Sequence, residues 1–227
     1  KVLQFLTSES KEYVATLSLG TSTDTYDASG KIIETKEFHA LDNNEIVACF
    51  NNFIGSQEQK PPIYSAIKVN GKKLYEYARA GEQVEVPTRS VTVNHLEILQ
   101  IENNLIKFKV GCSKGTYIRS LCYDLAKALG YPGHMKDLIR TKSGNFSLEN
   151  CFTLEQIENG EYTTVSLEEA LNSYQQLVVD DEKIIFHGKK IKSDLNEQVV
   201  ILNRQGKVLA MYGPDGNGYL KSIRGLW

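Results

Sequence analysis

Apolar and polar residues alternate clearly in one early stretch: Tyr13, Ala15, Leu17 and Leu19 are separated by more polar neighbours, which predicts a half-buried strand ending at Gly20. Ahead of it, Val2-Leu3-Gln4-Phe5-Leu6 has helical spacing, yet no Ser, Asp, Asn or Pro precedes it as a start signal. The chain is therefore expected to begin inside an element, with a segment missing upstream. Residues 21–30 read as a polar loop and 31–38 as a returning strand. Asp42, with Glu45 three residues on, starts a helix whose apolar face is Ile46, Phe50 and Phe53. Pro61-Pro62 stops any helix. Residues 64–69 read as a strand, Asn70-Gly71 as a tight turn, and 74–80 as a short helix closed by Gly81.

Residues 91–101 and 105–112 predict a hairpin joined by Asn103-Asn104. Ile106, Phe108, Val110 and Cys112 lie on one side of it, Lys107 and Lys109 on the other. Ser113-Lys114-Gly115-Thr116 turns into a helix over 117–129, ended by Gly130. Two short helices follow, marked by the pairs Thr153 with Gln156 and Ser166 with Glu169. From about residue 176 short strands (199–202, 208–212, 219–223) alternate with turns at Gly206, Gly213 and Gly216. The expected fold is α+β: a mixed, largely antiparallel sheet with packed helices over residues 1–172, then a small β-rich domain over 176–227.

At 227 residues, 41% apolar and 24% charged, the chain can bury a core without disulfides, and disordered, collagenous and coiled-coil classes are excluded. No stretch approaches the roughly 20 apolar residues that cross a bilayer. Cys49, Cys112, Cys122 and Cys151 form no Cys-x-x-Cys pair, and His39, His95, His134 and His187 are scattered. Reduced thiols in a cytoplasmic protein are expected, and no metal site. Walker, dinucleotide-binding and Gly-x-Ser-x-Gly patterns are absent, so no nucleotide cofactor is expected.

Charge changes the picture only when it is resolved along the chain. The total is 26 Lys+Arg against 28 Asp+Glu. Residues 1–59 hold four basic and nine acidic residues, 60–142 hold fourteen and seven, and 143–227 hold eight and twelve. The basic middle carries Tyr64, Tyr75, Tyr77, Tyr117 and Tyr123 among its cations, a mixture suited to phosphates and splayed bases.

Three stretches concentrate Gly, Lys, Arg and Tyr: residues 19–27 (LGTSTDTYD), 64–79 (YSAIKVNGKKLYEYAR) and 112–121 (CSKGTYIRSL). In this order they resemble the TruB family of tRNA pseudouridine synthases, over residues 1 to about 160. The tail from about 176 resembles the PUA RNA-binding module that follows the catalytic domain in bacterial members.

The resemblance implies isomerisation of a T-loop uridine of tRNA (position 55) to pseudouridine, without cofactor or metal, after the base is flipped out of the loop. In the family an aspartate in a Gly-Thr/Ala-Leu-Asp-Pro segment attacks, the glycosidic bond breaks, and the base rotates and rejoins through carbon. No such segment occurs here, and Asp24 does not match it, so the chain as it stands is expected to be inactive. Read from its residues alone, Tyr13 is a strand tyrosine and Arg119 a helix-surface arginine. By resemblance Tyr13 stacks on the flipped uracil and takes part in proton transfer, and Arg119 pairs with the nucleophilic aspartate. Without that aspartate, Arg119 is expected to be an unpaired cation in an open cleft. Tyr117 and Leu138 match positions lining the uracil pocket, and Lys68, Lys72, Lys73, Arg79 and Lys114 fall on the RNA path. Lys189, Lys190 and Lys192 read equally as solvated surface or as contacts to the acceptor side of tRNA. The expected partner is the tRNA T-arm, bound by a monomer. The alternative is an RNA-binding or tRNA-folding protein with no chemistry.

Overall fold

A computed structural model describes residues 1–6 and 10–227. The chain divides into two compact units: Glu9–Ser143, and Lys1–Ser8 together with Gly144–Trp227.

The second unit includes the first described helix, α1 (Leu3–Leu6). The Glu9–Ser143 unit is built on long antiparallel strands: β1 (Lys11–Leu19), β4 (Gly55–Gln59), β7 (Arg89–Glu102), β8 (Leu105–Cys112) and β9 (Gly133–Ser143). Within the unit they run in the order β9-β1-β8-β7-β4. β1 and β8 pair from Lys11 with Cys112 to Ser18 with Leu105, so the odd residues of β1 and the even ones of β8 share a face. That face is apolar and is covered by α2 (Asn43–Asn51) and α4 (Ile118–Ala128). Ala15, Leu17, Phe108 and Val110 pack there against Ile46, Phe50, Leu121, Cys122 and Leu125. Asp42 caps α2, accepting from Asn44 N at 2.6 Å.

Smaller pairs complete the unit. β2 (Thr21–Thr23) pairs with β3 (Ile32–Thr35), so part of the expected loop over 21–30 is strand. β5 (Lys68–Val69) pairs with β6 (Lys72–Lys73) across Asn70-Gly71, whose φ values of +52° and +83° suit a tight hairpin turn. The strand expected over 64–69 is thus confined to its last two residues. Tyr64 O and Ser65 O accept from Arg119 and Tyr75 N instead of from a neighbouring strand. α3 (Leu74–Ala80) ends at Gly81 with φ +67°.

The remaining segments belong to the other unit. A two-residue strand β10 (Phe146–Ser147) leads to α5 (Leu154–Glu158), with Thr153 and Gln156 in a capping box, and to α6 (Leu167–Ala170), where Ser166 accepts from Glu169 N. The C-terminal sheet contains β11 (Gln175–Val178), β12 (Ile191–Lys192), β13 (Val199–Leu202), β14 (Val208–Pro214) and β15 (Tyr219–Gly225), in the order β11-β13-β14-β15-β12. β11 and β13 are parallel; the other pairs are antiparallel. One face of this sheet packs Val199, Ile201 and Tyr212 against α7 (Glu182–Phe186) through Ile185. On the other face Val200, Leu202, Val208 and Met211 pack with Leu171, Leu226 and Phe5 of α1. Residues 144–172 and α1, grouped by sequence with the first domain, therefore pack with the C-terminal strands. Gly213, expected at a turn, lies inside β14, where a Cβ would come within 2.8 Å of Ile223 Cδ1.

Candidate active site

Arg119 stands in the first turn of α4. That start is held by an amide: Gln59, buried at the end of β4, donates to Tyr117 O at 3.1 Å and accepts from Tyr117 N at 2.8 Å. Ser120 Oγ adds a bond to Lys60 O at 2.8 Å. With the turn fixed, the Arg119 guanidinium reaches three groups. Nη1 lies 3.1 Å from both Thr25 O and Asp27 Oδ2, and Nη2 lies 3.0 Å from Tyr64 O. Arg119 is thus paired, contrary to the unpaired cation expected; its partner is an acid from the loop after β2. The side chains of Arg119 and Asp27 are only 22% and 20% exposed, so the pair is partly shielded from water.

Asp27 is prepared for this contact. Its Oδ1 accepts from Ser29 N, Ser29 Oγ and Thr25 Oγ1 at 3.1, 2.5 and 2.8 Å. Burial works against its charge, but these bonds and Arg119 outweigh it and hold the carboxyl below the usual aspartate range. Asp27 also forms a parallel bridge with Met135 of β9. The two nearest residues seal this junction: Met135 N donates to Tyr26 O and Ala28 N to Met135 O, at 2.9 and 3.0 Å.

β9 continues from that junction toward Tyr13. Leu138 pairs with Ala15 and Arg140 with Tyr13, after a register shift between Glu12 and Tyr13. At about 3.3 Å per residue, Arg140 lies roughly 16 Å along the strand from Met135. Arg140 sits over the Tyr13 ring, 5.6 Å from its centroid. Leu138 is 40% exposed although it is apolar. Tyr117, by contrast, packs against Ile67, Leu74 and Val86.

The basic residues of 68–79 gather on β5, β6 and α3. Lys68 and Arg79 are exposed. Lys72 pairs with Glu82 at 2.7 Å and lies over the Tyr77 ring, while Lys73 and Arg79 both approach Tyr75. Lys114 is exposed in the turn before α4. In the other unit Lys190 is engaged with Asp215 at 2.7 Å, and Lys189 and Lys192 are exposed.

A family model described as TruB family pseudouridylate synthase (N terminal domain) matches residues 1–118, and one described as tRNA pseudouridylate synthase B C-terminal domain matches 119–179. The tRNA pseudouridine synthase B of Bacillus anthracis is 41% identical over 244 residues, covering 99% of this chain and 80% of that protein. This chain belongs to the TruB family. The tRNA pseudouridine synthase B of Oceanobacillus iheyensis is 43% identical over 241 residues, with the same coverage of each chain. Among solved structures, the Cbf5-Nop10-Gar1 complex matches with a TM-score of 0.69 at 21% identity, covering 100% of this chain and 68% of that one. An H/ACA RNP bound to a substrate RNA containing 2′-deoxyuridine gives 0.66 at 20% identity, covering 99% and 68%. These neighbours share the pseudouridine synthase fold, which is the α+β arrangement expected from the sequence.

Membership in TruB makes the enzyme class a tRNA uridine isomerase. Sequence reasoning found the motif containing Asp27 but not its role, weighing only Asp24. Asp24 instead accepts from Lys31 N at 2.8 Å and organises the loop. Gln59 gave no signal, because an isolated polar residue in a polar stretch says nothing about a partner 58 positions away.

Proposed function

We propose that this protein isomerises uridine 55 in the T-loop of tRNA, acting as a cytoplasmic monomer that grips the T-arm. The observation that carries this reading is Arg119, pinned by Asp27 and by the Thr25 and Tyr64 carbonyls inside the three motifs that resemble TruB. Nη1 serves Asp27 and Thr25 while Nη2 serves Tyr64, which presets the plane of the guanidinium for a second carboxylate. The family's nucleophilic aspartate is that second carboxylate. Its charge is kept by the arginine, as an attacking group requires.

Tyr13, with Arg140 above its ring and exposed Leu138 on the neighbouring strand, forms the floor for a flipped uracil. Tyr13 stacks on the base and handles a proton during turnover, and Tyr117 closes the pocket at the start of α4. Lys68, Lys72, Lys73, Arg79 and Lys114 follow the RNA backbone. Residues 176–227 act as a PUA-like RNA module, and residues 1–172 as the catalytic portion, a functional division distinct from the packing division at Ser143.

The test is tritium release from tRNA labelled at C5 of uridine. The 227-residue chain, which holds no Gly-Thr/Ala-Leu-Asp-Pro segment, is expected to release none. Joined to such a segment upstream, it is expected to turn over, and to lose turnover when uridine 55 is replaced by cytidine. Release by the chain alone would place the nucleophile elsewhere. Binding without release in both forms would favour the non-catalytic RNA-binding alternative.

A further inference from the structure

Arg119 and Tyr123 are four residues apart on α4 and so share a face. The loop opposite offers two consecutive residues to that face. Asp27 meets Arg119, and the Tyr26 ring stacks on Tyr123 with centroids 4.2 Å apart and planes 18° from parallel. Tyr26 adopts φ +62°, a left-handed conformation that bulky side chains rarely take. Core filling does not account for the arrangement: both rings are only half-buried, and Tyr123 lines an open cavity of about 360 Å³ with Lys36, Lys127 and Tyr131.

Geometry supplies the reason. Bonds to Met135 fix the loop backbone on both sides of Asp27, along β9. β9 itself meets α4 at Ala126, toward the far end of the helix, whereas the loop meets the beginning of α4 through Asp27 and Tyr26. The left-handed turn at Tyr26 sends one ring toward the helix, and Tyr123 meets it one turn beyond Arg119.

We propose that the Tyr26–Tyr123 stack is a positioning device that sets the spacing between this loop and α4, and so holds Asp27 against Arg119 for the reaction. The proposal rests on the reading that Arg119 serves the chemical step.

Two measurements test it separately. In the 227-residue chain, the Arg119 guanidinium protons are read by nitrogen-edited NMR; pinned on three acceptors, they are expected as separate lines. Tyr123→Ala and Tyr26→Gly, the latter keeping the left-handed backbone at no cost, are expected to average those lines. Tyr123→Phe, which keeps the stack, is expected to preserve them. Should Tyr123→Ala fail to fold, Tyr123→Leu removes the ring while keeping apolar bulk. Separate lines in folded Tyr26→Gly and in the folded Tyr123 variant overturn the proposal.

In the form joined to the upstream aspartate segment, Tyr123→Ala is expected to slow single-turnover pseudouridine formation about tenfold, with the tRNA dissociation constant unchanged and Tyr123→Phe restoring the rate. Equal rates for Tyr123→Ala and the parent overturn it too. If no joined form makes pseudouridine, the functional reading fails while the NMR arm still decides the role of the stack.

Discussion

Arg119 shows how one side chain can tie together parts of a chain that are far apart in sequence. Its terminal nitrogens contact Thr25, Asp27 and Tyr64, up to 94 positions away, and lysine has no planar fork to reproduce this. Arg119→Lys in the turnover-competent form should slow the chemical step at least about tenfold while tRNA affinity changes less than about threefold. Parallel single-turnover and filter-binding measurements check this, and a loss confined to affinity would contradict the assigned role. Asp124, also on α4, carries the opposite lesson. Burial raises its pKa from the ordinary 3.8 to about 6, against a smaller pull downward from Lys127. The folded state therefore holds this proton more tightly than the unfolded chain does. Stability should decline as pH rises from about 4 to about 6 and stay lower above. Asp124→Asn is expected to stabilise by on the order of 1 kcal/mol at pH 7.5, part of the charge being screened by water, and to give no advantage below pH 4. Thermal melts across that range decide it.

Elements were legible where side chains announce them. β1, the β7–β8 hairpin, α2, α3 and α4 follow from alternation, capping residues and terminal glycines, all of which act within a few positions. β4 and β9 gave no such signal. Gly55-Ser56-Gln57-Glu58-Gln59 contains no large apolar residue, and Lys136 to Arg140 are exposed on both sides of their strand. Their neighbours dictate the extended form: β7 pairs with one and β1 with the other. The candidate site suffered similarly, because β9 brings Leu138 and Arg140 to Tyr13 and Met135 to Asp27. Leu138 was reachable only through resemblance, and the Asp27 contact only through the fold. β9 itself depends on a close approach to α4 at Gly133, where an added methyl would overlap Ala126 Cβ and come 3.0 Å from Ser18 O. Gly133→Ala should cost about 2 kcal/mol by denaturant unfolding, and adding Ala126→Gly should recover part of it. Additive losses in the double variant would mean that the two residues do not share this constraint.

Across the whole molecule, near-neutral charge conceals a basic centre, and the structure gathers part of it on β5, β6 and α3. Lys72 is already paired with Glu82, so fewer charges are free for phosphate than the sequence count implies. Affinity for tRNA should still fall by about a hundredfold or more between 50 and 200 mM salt if several phosphates are contacted. A flat response in a titration series would rule out the basic face as the RNA path.

The packing of α1 makes one unit discontinuous along the chain. Phe5 lies among Leu171, Val200, Met211 and Leu226, and Tyr174 donates to Phe5 O at 2.8 Å across 169 positions. Between them Lys11 pairs with Ser143, so the Glu9–Ser143 unit leaves and re-enters at adjacent points. Contacts that close so long a loop carry a high entropic cost and favour late formation in folding. When the Glu9–Ser143 unit folds first, its paired ends bring α1 and the following segment together and shorten the loop that remains to be closed.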